Sequence, residues 1–312
     1  MSEPLAAFAA EVGPAGPVTV AGGRTQWEVG GPADPSARVV RAPAGVVEHR
    51  PAEMTVRLGA GTVVADLDSA LAEAGQMVPL DPARPGEATV GGVLAVGRSG
   101  GRRLRYGPVR DCVLEVRYVS AAGELVKAGA PVVKNVSGFD LVRVMVGSLG
   151  TLGLLAELVL RTHPRPAGAR WLTAPADARA VTAAAALLYR PSSLLWDGAR
   201  AWALLEGHPA DVDAETAALG PEWEQCPGPP ALPSGSRLSV DPSGLVTWAA
   251  ARPPGSFVAE MGVGVVHLSA APDPADRPPG GTAPGPVLDL NRRLKAAFDP
   301  DNRLNPGRSP VP

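Results

Sequence analysis

The sequence predicts an α+β protein of two domains, and three observations carry the prediction. A plan of strand, glycine turn and following segment occurs twice in the first half, a βαββαβ order follows in the second, and a proline-rich break, THPRPAG at 162–168, separates them. At 312 residues and 45% hydrophobic composition, the chain can bury one large or two medium cores.

EPLAAFAAEV reads as a short helix, and PVTV as a strand that enters the turn AGGRT. The next strand is placed over Met54 to Leu58, with a Gly-Ala-Gly turn after it. Thr62 then stands as N-cap of a helix through Leu67, Ala70, Leu71 and Ala74, closed by Gly75. From Pro85 to Gly101 the chain is too glycine-rich for a regular element yet too apolar for a solvated linker, so it is expected to lie against something. Alternation on both sides of Ala-Gly predicts a hairpin from Val113 to Lys127. A short helix near Asp140 to Val146 and a strand from Leu152 to Arg161 complete the first domain. Beyond the break come strand RWLTA, helix ADARAVTAAAALLYR, hairpin strands SSLLWDG and AWALLEG, helix ADVDAETAAL and a weak strand at EWEQC, which together give the ferredoxin-like pattern. RLSV and FVAEMGVGVVHLS read as further strands, and VLDLNRRLKAAF as a final helix before an irregular tail. The expected limits are 1–165 and 166–285, with 286–312 as helix and tail.

A net charge of -2, from 29 basic and 31 acidic residues without long runs of one sign, gives no electrostatic footprint for nucleic acid or an anionic membrane. Cys112 and Cys226 are isolated, so neither zinc nor an iron-sulfur cluster is expected, and a reducing compartment fits. The N-terminus lacks a basic region, and no apolar run approaches the ~20 residues a membrane span needs. A cytoplasmic protein is expected, peripheral to the inner face of a membrane only through partners.

Four segments share glycine turns: AGGRT (21–25), TVGG with GRSGG (89–101), RYGPVRD (105–111) and GSLGTLG (147–153). Free amides in such turns form anion-binding concavities, and residues without Cβ let a pyrophosphate approach closely. Ordinary turns in a glycine-rich chain, with 37 Gly and 35 Pro, remain the alternative for each segment taken singly. None is a GxGxxG unit with its acidic partner or a GxxxxGK[ST] loop, so a nucleotide site needs another fold.

The order and wording of these segments, VGGVLAVGRSGGRRLRYGPVRDCVLEVRY through KNVSGFDLVRVMVGSLGTLGLLAEL to RTHP, resemble the FAD-binding domain of PCMH-type (vanillyl-alcohol oxidase) flavoproteins. Within that family the sequence is most similar to the FAD-binding E subunit of bacterial glycolate oxidase. The resemblance implies a two-subdomain FAD-binding fold followed by the ferredoxin-like domain as a cap. It implies that Gly22, Gly23, Arg24 and Thr25, with Thr89, Gly91 and Gly92, wrap the pyrophosphate by backbone amides. Ser99, Gly100, Tyr106 and Gly107 would lie along the flavin. Gly147, Ser148, Gly150, Thr151 and Gly153, with Leu155 in the strand that follows, would hold the adenosine half. Asn305 of the terminal NPG would approach the isoalloxazine, and Lys134 and Asn135 would sit beside the cofactor, or else cap a helix and pair with Asp140. Arg24 stands where a tethering histidine is often found, which implies non-covalent FAD.

Oxidation of a 2-hydroxy acid needs a base and a cation for the carboxylate. Of the four histidines, His49, His163 and His208 are expected at the surface, while His267 lies in a strand that should face the flavin and is the candidate base. Arg105, with Arg102 and Arg103, is the candidate carboxylate holder, although a solvated basic loop is an alternative. No metal site is expected. The absence of a histidine-rich motif makes turnover by the chain alone doubtful, so the resemblance implies a hetero-oligomer with a catalytic flavoprotein subunit and an iron-sulfur subunit, acting on a small 2-hydroxy acid. A stand-alone FAD dehydrogenase and a structural subunit that has lost FAD remain the alternatives.

Overall fold

The computed structural model describes residues 2–131, 140–271 and 285–309. They divide into two compact units. Over their described residues, Met1–Gly100, Pro108–Arg165 and Ala283–Pro312 form unit 1, and Gly101–Gly107 with Pro166–Thr282 form unit 2. Gly101–Gly107, expected in the first domain, belongs instead to unit 2, where Leu104 packs against the apolar core.

Unit 1 opens with α1 (Glu3–Val12), β1 (Val18–Val20), β2 (Arg38–Val40), β3 (Val46–Arg50), β4 (Thr55–Gly59), α2 (Val64–Ala72), β5 (Gln76–Met77) and α3 (Val90–Val96). The chain then passes through α4 (Arg103–Tyr106), a unit 2 element, and returns as β6 (Val113–Val119), β7 (Leu125–Gly129), α5 (Leu141–Met145), β8 (Leu154–Arg161) and β9 (His163–Pro164). An antiparallel sheet of order β3-β4-β8-β6-β7 is its centre. On one face Val56, Leu58, Val116 and Leu158 share a core with Leu67 and Leu71 of α2, Leu94 of α3 and Met145 of α5. Leu67 and Leu71 are fully buried, each worth about 1.5–3 kcal/mol. On the other face Val119, Leu154 and Ala156 meet Leu5, Phe8 and Val12 of α1, together with Val18 and Leu304.

Two local expectations change. Val63, not Thr62, occupies the N-cap position of α2, because the Thr62 hydroxyl donates to the Gly59 carbonyl at 2.6 Å and accepts from Gly45 N at 2.9 Å. The 85–101 stretch contains a true helix, α3, despite Gly91 and Gly92, each of which costs about 1 kcal/mol in a helix interior. Packing outweighs propensity here: a Cβ on Gly91 would stand 2.8 Å from Ala60, and Thr89 caps the helix by accepting from Gly92 N.

Unit 2 continues with β10 (Gly168–Pro175), α6 (Ala178–Leu187), β11 (Ser193–Trp196), β12 (Arg200–Gly207), α7 (Pro209–Leu219), β13 (Glu224–Cys226), β14 (Ser236–Ser239), α8 (Leu245–Ala250), β15 (Phe257–Glu260) and β16 (Val265–Leu268). The order β13-β10-β12-β11 is the ferredoxin-like arrangement predicted from the βαββαβ pattern, and β15, β16 and β14 extend it. Leu194, Trp196, Ala201, Ala203 and Leu205 alternate onto the face covered by α6, α7 and α8. Trp196 is core: its Nε1 donates to the Ala176 carbonyl, and its ring meets Phe257 edge-on at 5.6 Å.

The final helix, α9 (Gly285–Phe298), leads into a tail that fastens unit 1 together. Asp299 is buried and accepts from Arg303 N, Leu304 N and Lys295 Nζ. Buried Arg303 donates to the carbonyls of Val12, Ala15, Gly16 and Ala121. Val18 N donates to the Arg303 carbonyl and Asn305 N to the Val18 carbonyl, so the tail pairs alongside β1, parallel to it.

Candidate functional site

The turn that follows β1 is held at its root by Ala21 N, which donates to Val40 of β2. Its glycines are required by close approach of two chain segments. A Cβ on Gly22 would stand 2.1 Å from Thr89 Oγ1, and one on Gly23 would stand 1.7 Å from the Glu87 carbonyl oxygen. Arg24 follows in the left-handed region at φ 54. Among the described residues no acceptor takes the amides of Gly22, Gly23, Arg24 or Thr25. The amides of the facing segment are committed: Val90 N donates to Thr62, Gly91 N to Ala60, and Gly92 N to the Thr89 hydroxyl. The expectation of two amide-donating turns therefore narrows to one, the 22–25 turn, with Gly91 and Gly92 contributing a surface free of side chains.

These segments wall a cavity of about 330 Å³ in unit 1. Of the predicted residues, Gly22, Gly23, Arg24, Thr25, Thr89, Gly91, Gly92, Gly150, Leu155 and Asn305 line it. Trp27, Arg41, Ala60, Gly61, Leu149 and Arg308 also line it and were not anticipated. Arg24, Arg41 and Arg308 supply three guanidinium groups, and no carboxylate joins them among the described lining residues. The Arg24 and Arg308 guanidinium carbons lie 4.8 and 4.3 Å from the centre of the Trp27 ring. Arg308 Nη1 donates to the Val29 carbonyl at 2.8 Å, while its Nη2 is buried without a hydrogen-bond partner. Burial pulls the Arg308 pKa below its ordinary value, and Glu28 offsets part of that shift.

Asn305 is a brace. Its Oδ1 accepts from Val20 N at 3.0 Å and its Nδ2 donates to the Leu149 carbonyl at 2.5 Å, so both ends of the amide tie β1 to the 148–150 turn. Gly150 makes room for it, since a Cβ there would stand 2.5 Å from Asn305 Nδ2. The rest of GSLGTLG serves its own neighbourhood: the Ser148 hydroxyl donates to Met145, the Thr151 hydroxyl donates to Ser148, Gly153 lies against the Tyr118 ring, and Gly147 stands beside Gly97. None of Gly147, Ser148, Thr151 and Gly153 lines the cavity. Ser99 accepts from Val109 N and Gly100 lies against Asp81, both outside the lining. Tyr106 and Gly107 belong to unit 2, and Lys134 and Asn135 lie outside the described residues.

In unit 2, His267 Nε2 lies 2.7 Å from Glu260 Oε1, and both side chains are largely buried. Arg105 Nη1 donates to the Glu206 carbonyl and, at 3.5 Å, to that of Arg190, while Arg102 forms an ion pair with the buried Glu206 carboxylate at 2.9 Å. These bonds fix α4 to the sheet of its own unit, in place of the free cation expected of Arg105. Among the histidines expected at the surface, His208 is exposed, but His49 and His163 are half-buried, with His49 Nε2 3.0 Å from Gln76 Oε1. Among the described residues no group of three His, Cys, Asp or Glu could hold a metal, and no helix is long and apolar enough to cross a membrane.

A family model described as an FAD binding domain matches residues 7–129, which contain most of the cavity wall. Over 325 aligned positions the chain is 31% identical to glycolate oxidase subunit GlcE of Escherichia coli (strain K12), covering 94% of this chain and 92% of that one. The chain belongs to the PCMH-type FAD-binding family. A D-lactate dehydrogenase of Anaerostipes hadrus is 42% identical over 113 residues, 36% of this chain and 23% of that one. Among solved structures an alkyldihydroxyacetonephosphate synthase superposes with a TM-score of 0.67 at 17% identity, covering 97% of this chain and 73% of that one, a likeness of fold. The cofactor of this PCMH-type protein is FAD, and its residues fit the group: unclaimed amides and guanidinium groups, with no carboxylate among the described lining residues, face the cavity and suit a diphosphate.

Proposed function

We propose that the chain is the FAD-binding subunit of a glycolate oxidase-like complex, in which a small 2-hydroxy acid is oxidised and electrons pass to an iron-sulfur partner. The observation that supports this best is a cavity walled by unclaimed amides and cations, in a chain aligned with GlcE over 94% of its length. Bound FAD supplies a two-electron acceptor that no side chain can replace. The protein's part is to bind and orient. In this reading the 22–25 amides donate to the diphosphate, Thr89, Gly91 and Gly92 let it approach, and Gly150 and Leu155 border the adenosine half. Retention is non-covalent, since Arg24 occupies the position of a tethering histidine. His267, oriented by Glu260, is the group able to take a hydroxyl proton, and Arg105 positions α4. The complex would be cytoplasmic, reaching a membrane only through its partners.

The test is purification of the chain alone and with its partner subunits. FAD released intact by acid, with 2-hydroxy-acid turnover only in the assembled complex, is the expected result. Rapid turnover by the isolated chain with an artificial acceptor would replace this reading with a stand-alone dehydrogenase. A colourless protein that takes up no FAD would replace it with a structural subunit.

A further inference from the structure

We propose that Arg308 is a side-chain ligand of the dinucleotide's diphosphate, acting with the amides of the 22–25 turn; this rests on the FAD reading above. Three guanidinium groups line the cavity, but they are not equivalent. Arg24 and Arg41 are exposed, and water can solvate them. Arg308 is half-buried and fixed in place, with Nη1 on the Val29 carbonyl and its plane near Trp27, while Nη2 is shielded from solvent and has no acceptor. A buried charged donor left without a partner is costly, and an anionic ligand in the cavity that accepts from Nη2 would remove that cost.

The electrostatics of unit 1 point the same way. Arg98 is a second half-buried guanidinium, and Glu28 is the one carboxylate whose field opposes desolvation at both Arg98 and Arg308. Glu28 is thus shared between two cations, and the cavity itself holds three guanidinium groups with no carboxylate among its described lining, an excess of positive charge where free amides also favour an anion. A planar guanidinium suits phosphate oxygens, and of the parts of FAD only the diphosphate is anionic.

The experiment is calorimetric titration of the apo-protein with FAD, ADP, riboflavin and inorganic phosphate, in wild type, Arg308→Gln and Arg308→Lys, each checked by circular dichroism. Arg308→Gln is expected to weaken FAD and ADP alike by about 10–100-fold, to leave riboflavin unchanged, and to flatten the salt dependence of FAD binding. Arg308→Lys keeps the charge and the stem over Trp27, so it guards against misfolding of the glutamine variant, and it is expected to lose less, in the same direction. FAD affinity unaltered in a folded variant overturns the inference. So does a loss for FAD with none for ADP, which would place Arg308 at the flavin half, or wild-type binding of phosphate as tight as that of ADP, which would make the site one for the free ion. Failure of wild type to bind FAD sinks the functional reading itself and is distinguishable from all of these.

Discussion

In unit 2 the guanidinium groups of Arg102, Arg105 and Arg170 each reach an oxygen of their own unit: the Glu206 carboxylate, the carbonyls of Glu206 and Arg190, and Asp213. In unit 1 the cavity gathers Arg24, Arg41 and Arg308 with no carboxylate among its described lining. Elsewhere unit 1 pairs its buried charges well, as where Arg57 bridges Glu115 and Glu157 at 3.1 and 2.9 Å. The imbalance is therefore local, at the place where a ligand is expected. These three cations of unit 2 find their acceptors within it, whereas the cavity of unit 1 keeps a set of donors for an anion.

The largest expected effect tests whether the tail is part of unit 1. Arg303→Met removes the cation that ties four carbonyls together, and should lower unfolding free energy by about 3–5 kcal/mol in urea titrations. A loss below 1 kcal/mol would show that the tail is dispensable. Gly23→Ala comes next, because its Cβ collides with the backbone of Glu87; about 1–3 kcal/mol of stability should go, together with FAD binding, which quenching of flavin fluorescence reads. Gly228→Ala in unit 2, where a Cβ meets nothing within 4 Å, should be neutral by the same assays. Glu206→Gln probes the self-satisfied side of the comparison. It removes the negative charge that Glu206 presents to Arg102 and should cost about 1–3 kcal/mol, since Glu206 is buried. The smallest effect is chemical. Burial pushes the Cys112 thiol up to about 12, so at pH 8 it should resist alkylation in the folded protein while the partly exposed Cys226 reacts, as peptide mass mapping would show.

Much of the architecture was legible because alternation survives in single strands: β6, β7, β8 and the βαββαβ core of unit 2 follow from residues that neighbour one another in sequence. β2 and β3 were missed, since β2 has three residues and β3 carries mostly exposed side chains. α3 was hidden by its glycines, whose use depends on Ala60 some thirty positions away in the chain. The site was half legible for a related reason. Glycine-rich wording located the walls at 22–25, 89–92 and 150, but which amides are free is decided by distant acceptors, as when Ala60 takes Gly91 N. Nothing next to Arg308 in sequence marks it for the cavity; its partners Val29 and Trp27 stand at the other end of the chain.

That separation bears on biosynthesis. Leu304 and Asn305 complete a ribbon begun by Val18, and all of unit 2 after Pro166 is translated in between. During synthesis the flavin domain thus stays open on one side until Leu304 and Asn305 have been made and have met Val18, so cofactor capture is expected only after unit 2 has been translated.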